Sequence, residues 1–255
     1  MNTSFADIEK KENRKDLIIS ICVFLSGFSC FAQLYYFQPL LPDLAKDFIL
    51  SASESSFAIS FSTLGMVFGL FTTMFVADRI PRKKMIGTGL LSSSIFSVAA
   101  SFSPTFLPLI LLSAAKGFLL SGATSVSMAY IAEEVSSRNK GKIMGLYIAG
   151  NALGGMAGRV ISSWIGALYT WRIASVSFGL ICALFAILFL LFSPRSTNFM
   201  PRKESFHTLI IANLQLITSK ALIPFYLTGG LILGVFVSLY NYLGFYLTKA
   251  PFNFP

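Results

Sequence analysis

Seven stretches of this chain are apolar for about twenty residues each, and that feature limits the folds open to it. They are Leu17–Phe37, Ser56–Ala77, Met85–Ser103, Phe106–Ile131, Ile143–Gly166, Ile173–Phe192 and Leu222–Leu247. A helix rises about 1.5 Å per residue, so roughly 20 residues cross the ~30 Å hydrocarbon core of a bilayer. Barrel strands would instead alternate strictly over about ten residues, and no such alternation is present. Five of the seven stretches hold no Asp, Glu, Lys or Arg, and the whole chain is only 12% charged, roughly half the share of a soluble domain. The expected class is an all-α membrane protein.

The net charge of +9 would suit a nucleic-acid surface if it formed one patch, but it is spread over loops. With the N-terminus placed in the cytoplasm, 15 of the 20 Lys and Arg fall on the cytoplasmic side. Lys46, Arg172 and Lys249 fall outside, and Lys116 and Arg159 lie within spans. This asymmetry follows the positive-inside rule and predicts a multi-pass protein of the inner (plasma) membrane, not a nucleic-acid partner. The first span is 21 residues long and ends in aromatics without a small-residue cleavage site, so it reads as a retained helix. Cys22, Cys30 and Cys182 all sit in apolar spans, with no disulfide framework or metal-ligand spacing, and no cofactor is implied.

The loops divide the chain. Residues 1–16 read as a cytoplasmic tail, 17–192 as a six-helix unit, and 193–221 as a cytoplasmic linker. Within the linker Phe206–Ile217 is apolar but too short to span, which predicts a helix lying on the membrane surface. His207, the one histidine, falls there and reads as a solvated loop residue. Residues 222–255 hold a single further span.

Several positions carry chemistry. The loop Asp78-Arg79-Ile80-Pro81-Arg82-Lys83-Lys84 places a carboxylate at a helix end before four cations, near the acidic pair Glu133-Glu134 that ends the fourth span. An ion-pair cluster of Asp78, Arg79, Arg82, Glu133 and Glu134 would hold helix ends together in one state and release them in another. Gly150, Gly154, Gly158, Ser162 and Gly166 recur every four residues on the fifth span, with Gly155 beside them, drawing a small-residue packing stripe. Lys116 lies ten residues into its span, about 15 Å deep. A cation there costs at least ~2.5–3.5 kcal/mol on insertion scales, so it is expected to face a cavity or a partner. Arg159 is close enough to its helix end to snorkel.

These motifs resemble those of the major facilitator superfamily. Asp78, Arg79, Arg82 and Lys83 match the superfamily's G-x-L-A-D-R-x-G-R-K loop, with Met74 and Pro81 in place of its glycines. The fifth-span stripe is similar to the exporters' G-P-x-x-G-G motif, with Asn151 for the proline. The stretches at 33–42 and 240–245 resemble the arabinose-efflux exporters.

The resemblance implies a six-helix bundle of two inverted three-helix repeats, followed by the first helix of a second half. It also implies transport of a small-molecule substrate (a drug or a sugar) by alternating access, with proton-coupled efflux and no enzymatic reaction. Gln33, Tyr36, Lys116, Ser121, Asn151, Tyr240 and Asn241 are the expected cavity residues. The glycine stripe is expected to pack against a helix of the second half, and the nearly pure apolar sixth span to face lipid. With six helices plus one, the chain reads as truncated, or as a split or inactive fragment needing a separately encoded second half. A seven-helix receptor is the other class with this span count, but the seventh span lacks a lysine for a retinal Schiff base.

Overall fold

The computed structural model describes residues 5–201, 206–247 and 251–252. Arg202, Lys203, Lys249 and the side chain of His207 lie outside what it describes. Each of the seven apolar stretches is a long helix. In chain order these are α1 (Phe5–Tyr35), α4 (Phe57–Val76), α5 (Arg82–Ser101), α6 (Phe106–Glu134), α7 (Lys140–Leu168), α8 (Trp171–Phe192) and α10 (Ile223–Leu247). Two short helices, α2 (Leu41–Asp47) and α3 (Ala52–Ser55), bridge α1 to α4, and α9 (Phe206–Ile217) occupies the linker. The stretch expected as a tail is helical from Phe5, so Lys15 and Asp16 stand on α1 itself.

Five of the long helices are apolar enough throughout to cross a bilayer on composition alone; α5 and α7 are not among them. Their polar and small residues explain the difference, because those residues face inward. On α5, Ser93, Ser94 and Ser97 are buried, and each hydroxyl donates to a carbonyl of its own helix. On α7 the buried face is Gly150, Gly154, Gly155, Gly158 and Ser162.

The packing has a two-fold logic. Exchanging the triplet α1, α4, α5 for the triplet α6, α7, α8 leaves the main helix contacts unchanged. Thus α1 packs on α7 as α6 packs on α4, α5 on α6 as α8 on α1, and α5 on α8 pairs with itself. The triplets begin at opposite ends of the bundle, as inverted repeats require.

Glycines repeat the symmetry. An added Cβ at Gly150, Gly154 or Gly158 of α7 would run into the backbone of Phe24, Phe28 or Ala32 on α1. The counterparts on the other pair are Gly65 of α4 against Ala114 and Gly117 of α6 against Ser62. In lipid, where burial of apolar surface gives little drive, such backbone approach supplies the packing that holds helices together. The glycine stripe therefore meets α1 within the bundle, not a helix of a second half. Only one side of α8 faces outward, through Leu180, Leu184 and Leu191, while Phe178, Cys182 and Phe189 are buried against the bundle.

Candidate functional site

The bundle has a basic end, where α1 begins and α6 finishes, and an opposite far end. At the basic end Arg82, the first residue of α5, is buried among acceptors. Its Nη2 donates to Asp78 Oδ1 at 2.8 Å and Glu133 Oε1 at 3.1 Å, and its Nη1 to the Ala77 carbonyl at 2.6 Å. The expected five-member cluster is split. Arg79 is exposed and outside this network. Glu134 belongs to a second group, accepting from Lys15 Nζ at 2.8 Å, Thr197 Oγ1 at 2.8 Å and the Asn198 amide at 2.7 Å.

A fourth carboxylate, Asp16, accepts from the Ser136 hydroxyl at 2.5 Å and Asn139 Nδ2 at 2.8 Å. Four carboxylates thus tie α1, the turn after α4, α5, α6 and the segment after α8 at one end, and their bonding offsets the desolvation that ion pairs incur. Beside them a groove of about 530 Å³ opens between α1 and α7, lined in part by Asp16, Asn139 and Lys142.

Midway along the bundle, Lys116 is 1% exposed, and its Nζ has no hydrogen-bond partner. The ammonium lies 4.5 Å from the centre of the Tyr36 ring and 4.8 Å from that of Phe37. Cation–π attraction grows when the cation is desolvated, and it stands in here for an anionic partner. Tyr36 is fixed in turn by a 2.8 Å bond to Ser175, whose hydroxyl donates to the Ser97 carbonyl. Gln33, one turn before Tyr36, accepts from Ser97 Oγ at 3.2 Å. Gln33, Tyr36 and Lys116 therefore gather in a closed interior between α1, α5, α6 and α8. Of the two surroundings expected for Lys116, a cavity or a partner, the structure shows the second: the ammonium is walled in by the Tyr36 and Phe37 rings.

The far end holds the other intramembrane cation. Arg159 is not snorkelling: its Nε donates to Gln38 Oε1 at 2.5 Å and its Nη1 to the Gly155 carbonyl at 2.8 Å. Its guanidinium centre stands 4.4 Å from the Tyr35 ring, 4.6 Å from Tyr240 and 5.3 Å from Phe236. Gln38 turns its amide nitrogen to Asn241 Oδ1 at 2.8 Å. Tyr240 and Asn241 are thereby joined to α1 and α7 through Arg159 and Gln38.

The remaining expected residues are scattered. Ser121 is buried beside Gly69 and lines a groove of about 210 Å³ between α4, α5 and α6. Asn151 lies against Gly27 of α1, with its buried side-chain oxygen unpartnered. Neither stands with the Lys116 group or the Arg159 group. Lys15, Asp16, Thr197 and Asn198 were not singled out from the sequence. Their partners are more than 60 residues away, and nothing local marks them.

Comparison with known proteins matches residues 20–255 to the model of the Major Facilitator Superfamily. An uncharacterised transporter of Buchnera aphidicola (subsp. Schizaphis graminum) is 35% identical over 245 residues, covering 96% of this chain and 59% of that protein. The inner membrane transport protein YnfM of Escherichia coli K12 is 35% identical over 236 residues, covering 92% of this chain and 56% of its own. The chain thus spans just over half the length of these curated relatives. A crystal structure of a bacterial homologue of the human lysosomal transporter Spinster, inward-facing and unoccupied, superposes with a TM-score of 0.75 at 14% identity, over 92% of this chain and 56% of that one.

Proposed function

The chain belongs to the Major Facilitator Superfamily, and from that premise we propose that it forms the first half of an alternating-access transporter, in a state closed at the far end. The observation that carries this reading is the one-sided attachment of α10. Its outer part meets the bundle through Asn241 on Gln38, Tyr240 and Phe236 on Arg159, and a Cβ placed at Gly244 would lie 3.4 Å from the Pro42 ring. Its inner part stands clear, with nothing within 4 Å of a Cβ placed at Gly229, Gly230 or Gly234. A helix clamped at one end and free at the other is what a gate open toward the basic end needs.

The charge asymmetry supports a protein of the inner (plasma) membrane with its basic end and N-terminus in the cytoplasm. The transporter moves a small molecule outward in exchange for protons. This direction and coupling rest on the resemblance of the α7 stripe to the exporters' motif. Every acid among the described residues lies outside the seven apolar stretches, so the coupling carboxylate belongs to a second bundle. The exposed apolar faces of α4 and α7, with Phe68, Phe71, Met156, Val160 and Trp164, support a second bundle packing there.

The test is flux. Everted vesicles from cells making the chain, alone or with the second half of YnfM supplied as a separate chain, are given a solute panel and an acidic interior. Accumulation that a protonophore abolishes is the expected result; accumulation equal to that of empty vesicles for every solute, in both arms, overturns the reading.

A further inference from the structure

We infer that Arg159 is a recognition point for an organic carboxylate, an inference that rests on the transport reading and names its substrate class. Guanidinium carries five N–H donors, and two of them are used, one by Gln38 and one by Gly155. The unspent donors include both of Nη2, which is buried and has no partner. No carboxylate lies within ion-pair distance of Arg159 among the described residues; Asp47, at the same end, pairs with Arg172 instead.

A buried cation with unspent donors is costly, and the aromatic faces of Tyr35, Tyr240 and Phe236 compensate it only in part. What completes the site is a planar anion, because a carboxylate matches the spacing of the terminal N–H pair and takes two parallel charge-assisted bonds. A neutral amide or hydroxyl would leave the charge uncompensated.

Arg159 is half-buried with its Nη2 covered in this closed state, and the exposed residues beside it mark the side of approach. On α7 the row Ala152, Met156, Arg159 and Ser163 runs along one side of the helix, and all its members but Arg159 are exposed. A solute moving along that side meets the guanidinium at its edge, with rings on either side to hold an apolar body. The other intramembrane cation, Lys116, also has no carboxylate partner among the described residues, so both charges inside the spans are uncompensated positive ones. Their field favours entry of an anion over a neutral or cationic solute.

The probe is radiolabelled benzoate, with benzamide as its neutral counterpart, in equilibrium dialysis against the full 255-residue chain in detergent. Saturable benzoate binding at least tenfold tighter than benzamide is expected. Arg159→Gln is expected to weaken benzoate tenfold or more without changing benzamide, and Arg159→Lys to weaken it by less, because the charge stays and the fork is lost. Where Arg159→Gln is not monodisperse, the wild-type pair of probes and Arg159→Lys decide. Equal retention of benzoate and benzamide by the wild-type chain, or unchanged benzoate binding in either variant, overturns the inference. Those results leave alternating access standing, since flux of an uncharged solute would still be seen in the vesicle assay.

Discussion

The Lys15 ammonium on α1 and the Glu134 carboxylate on α6 meet at 2.8 Å across 119 residues of chain, and the Glu134 side chain is fully buried. Two further donors from the segment after α8 share that carboxylate. Replacing it by an amide keeps the shape, removes the charge and sets an N–H₂ against donors. Glu134→Gln is expected to destabilise the bundle by about 1–3 kcal/mol, the usual penalty for buried polar groups left unmatched. Thermal unfolding in detergent measures it; an unchanged midpoint would mean the pair does not hold the basic end together.

Glycine contacts make a second prediction with an internal control. Gly154→Val places side-chain atoms on the backbone of Phe28 and should separate α7 from α1 at a cost of about 1–3 kcal/mol. Gly145→Ala, on the same helix with nothing within 4 Å, should instead stabilise by about 0.5–1 kcal/mol. The same unfolding assay reads both signs.

Much of this was legible in the sequence, for a physical reason. Span positions follow from apolar length, and all seven long helices stand where their runs predict. The interior arrangement did not follow. Spacing marked the Gly150–Gly158 stripe as a packing face but not its partner, because partner choice depends on which helix the fold brings alongside. Depth marked Lys116 as unusual but not its surroundings, which come from Tyr36 and Phe37 some 80 residues earlier. Sequence alone gives only the distance of Arg159 from its helix end, and that distance says nothing of the rings that α10 delivers to it. Sequence proximity groups the basic loop with both acids, whereas the structure divides Glu133 from Glu134 because adjacent residues on a helix point about 100° apart.

The interior lysine gives a third prediction. An ammonium with only ring faces for company costs more than it returns, so Lys116→Met, similar in length and uncharged, is expected to keep or raise the unfolding midpoint. Lys116→Ala, which leaves a void, is expected to lower it by about 2 kcal/mol or more. A midpoint that falls as far in the Met variant as in the Ala variant would show that the charge itself is bonded.

At the far end Asp47 accepts hydrogen bonds from Arg172 and from Trp171 Nε1. These bonds, that of Arg172 foremost, hold its carboxyl below the ordinary carboxylate range against a small effect of burial. A depressed folded value means the bonds stabilise fully above the unfolded value of about 4 and are lost as pH falls through the lower folded value. Because the pair is largely exposed, the effect on overall stability is small. In a Trp164→Phe background, Trp171 fluorescence should change below about pH 4 and stay flat in Asp47→Asn. A transition of equal size in both would assign it elsewhere.

The central claim is that the far end is closed between α1 and α10. Gln38 and Asn241 replaced by cysteines, in membranes with the buried native cysteines retained, test it most directly. Oxidation should join the pair, so that fragments cut at a protease site inserted between 201 and 206 stay linked until reduced. Fragments that separate, with both new cysteines freely alkylated by an impermeant reagent from the far side, would contradict it.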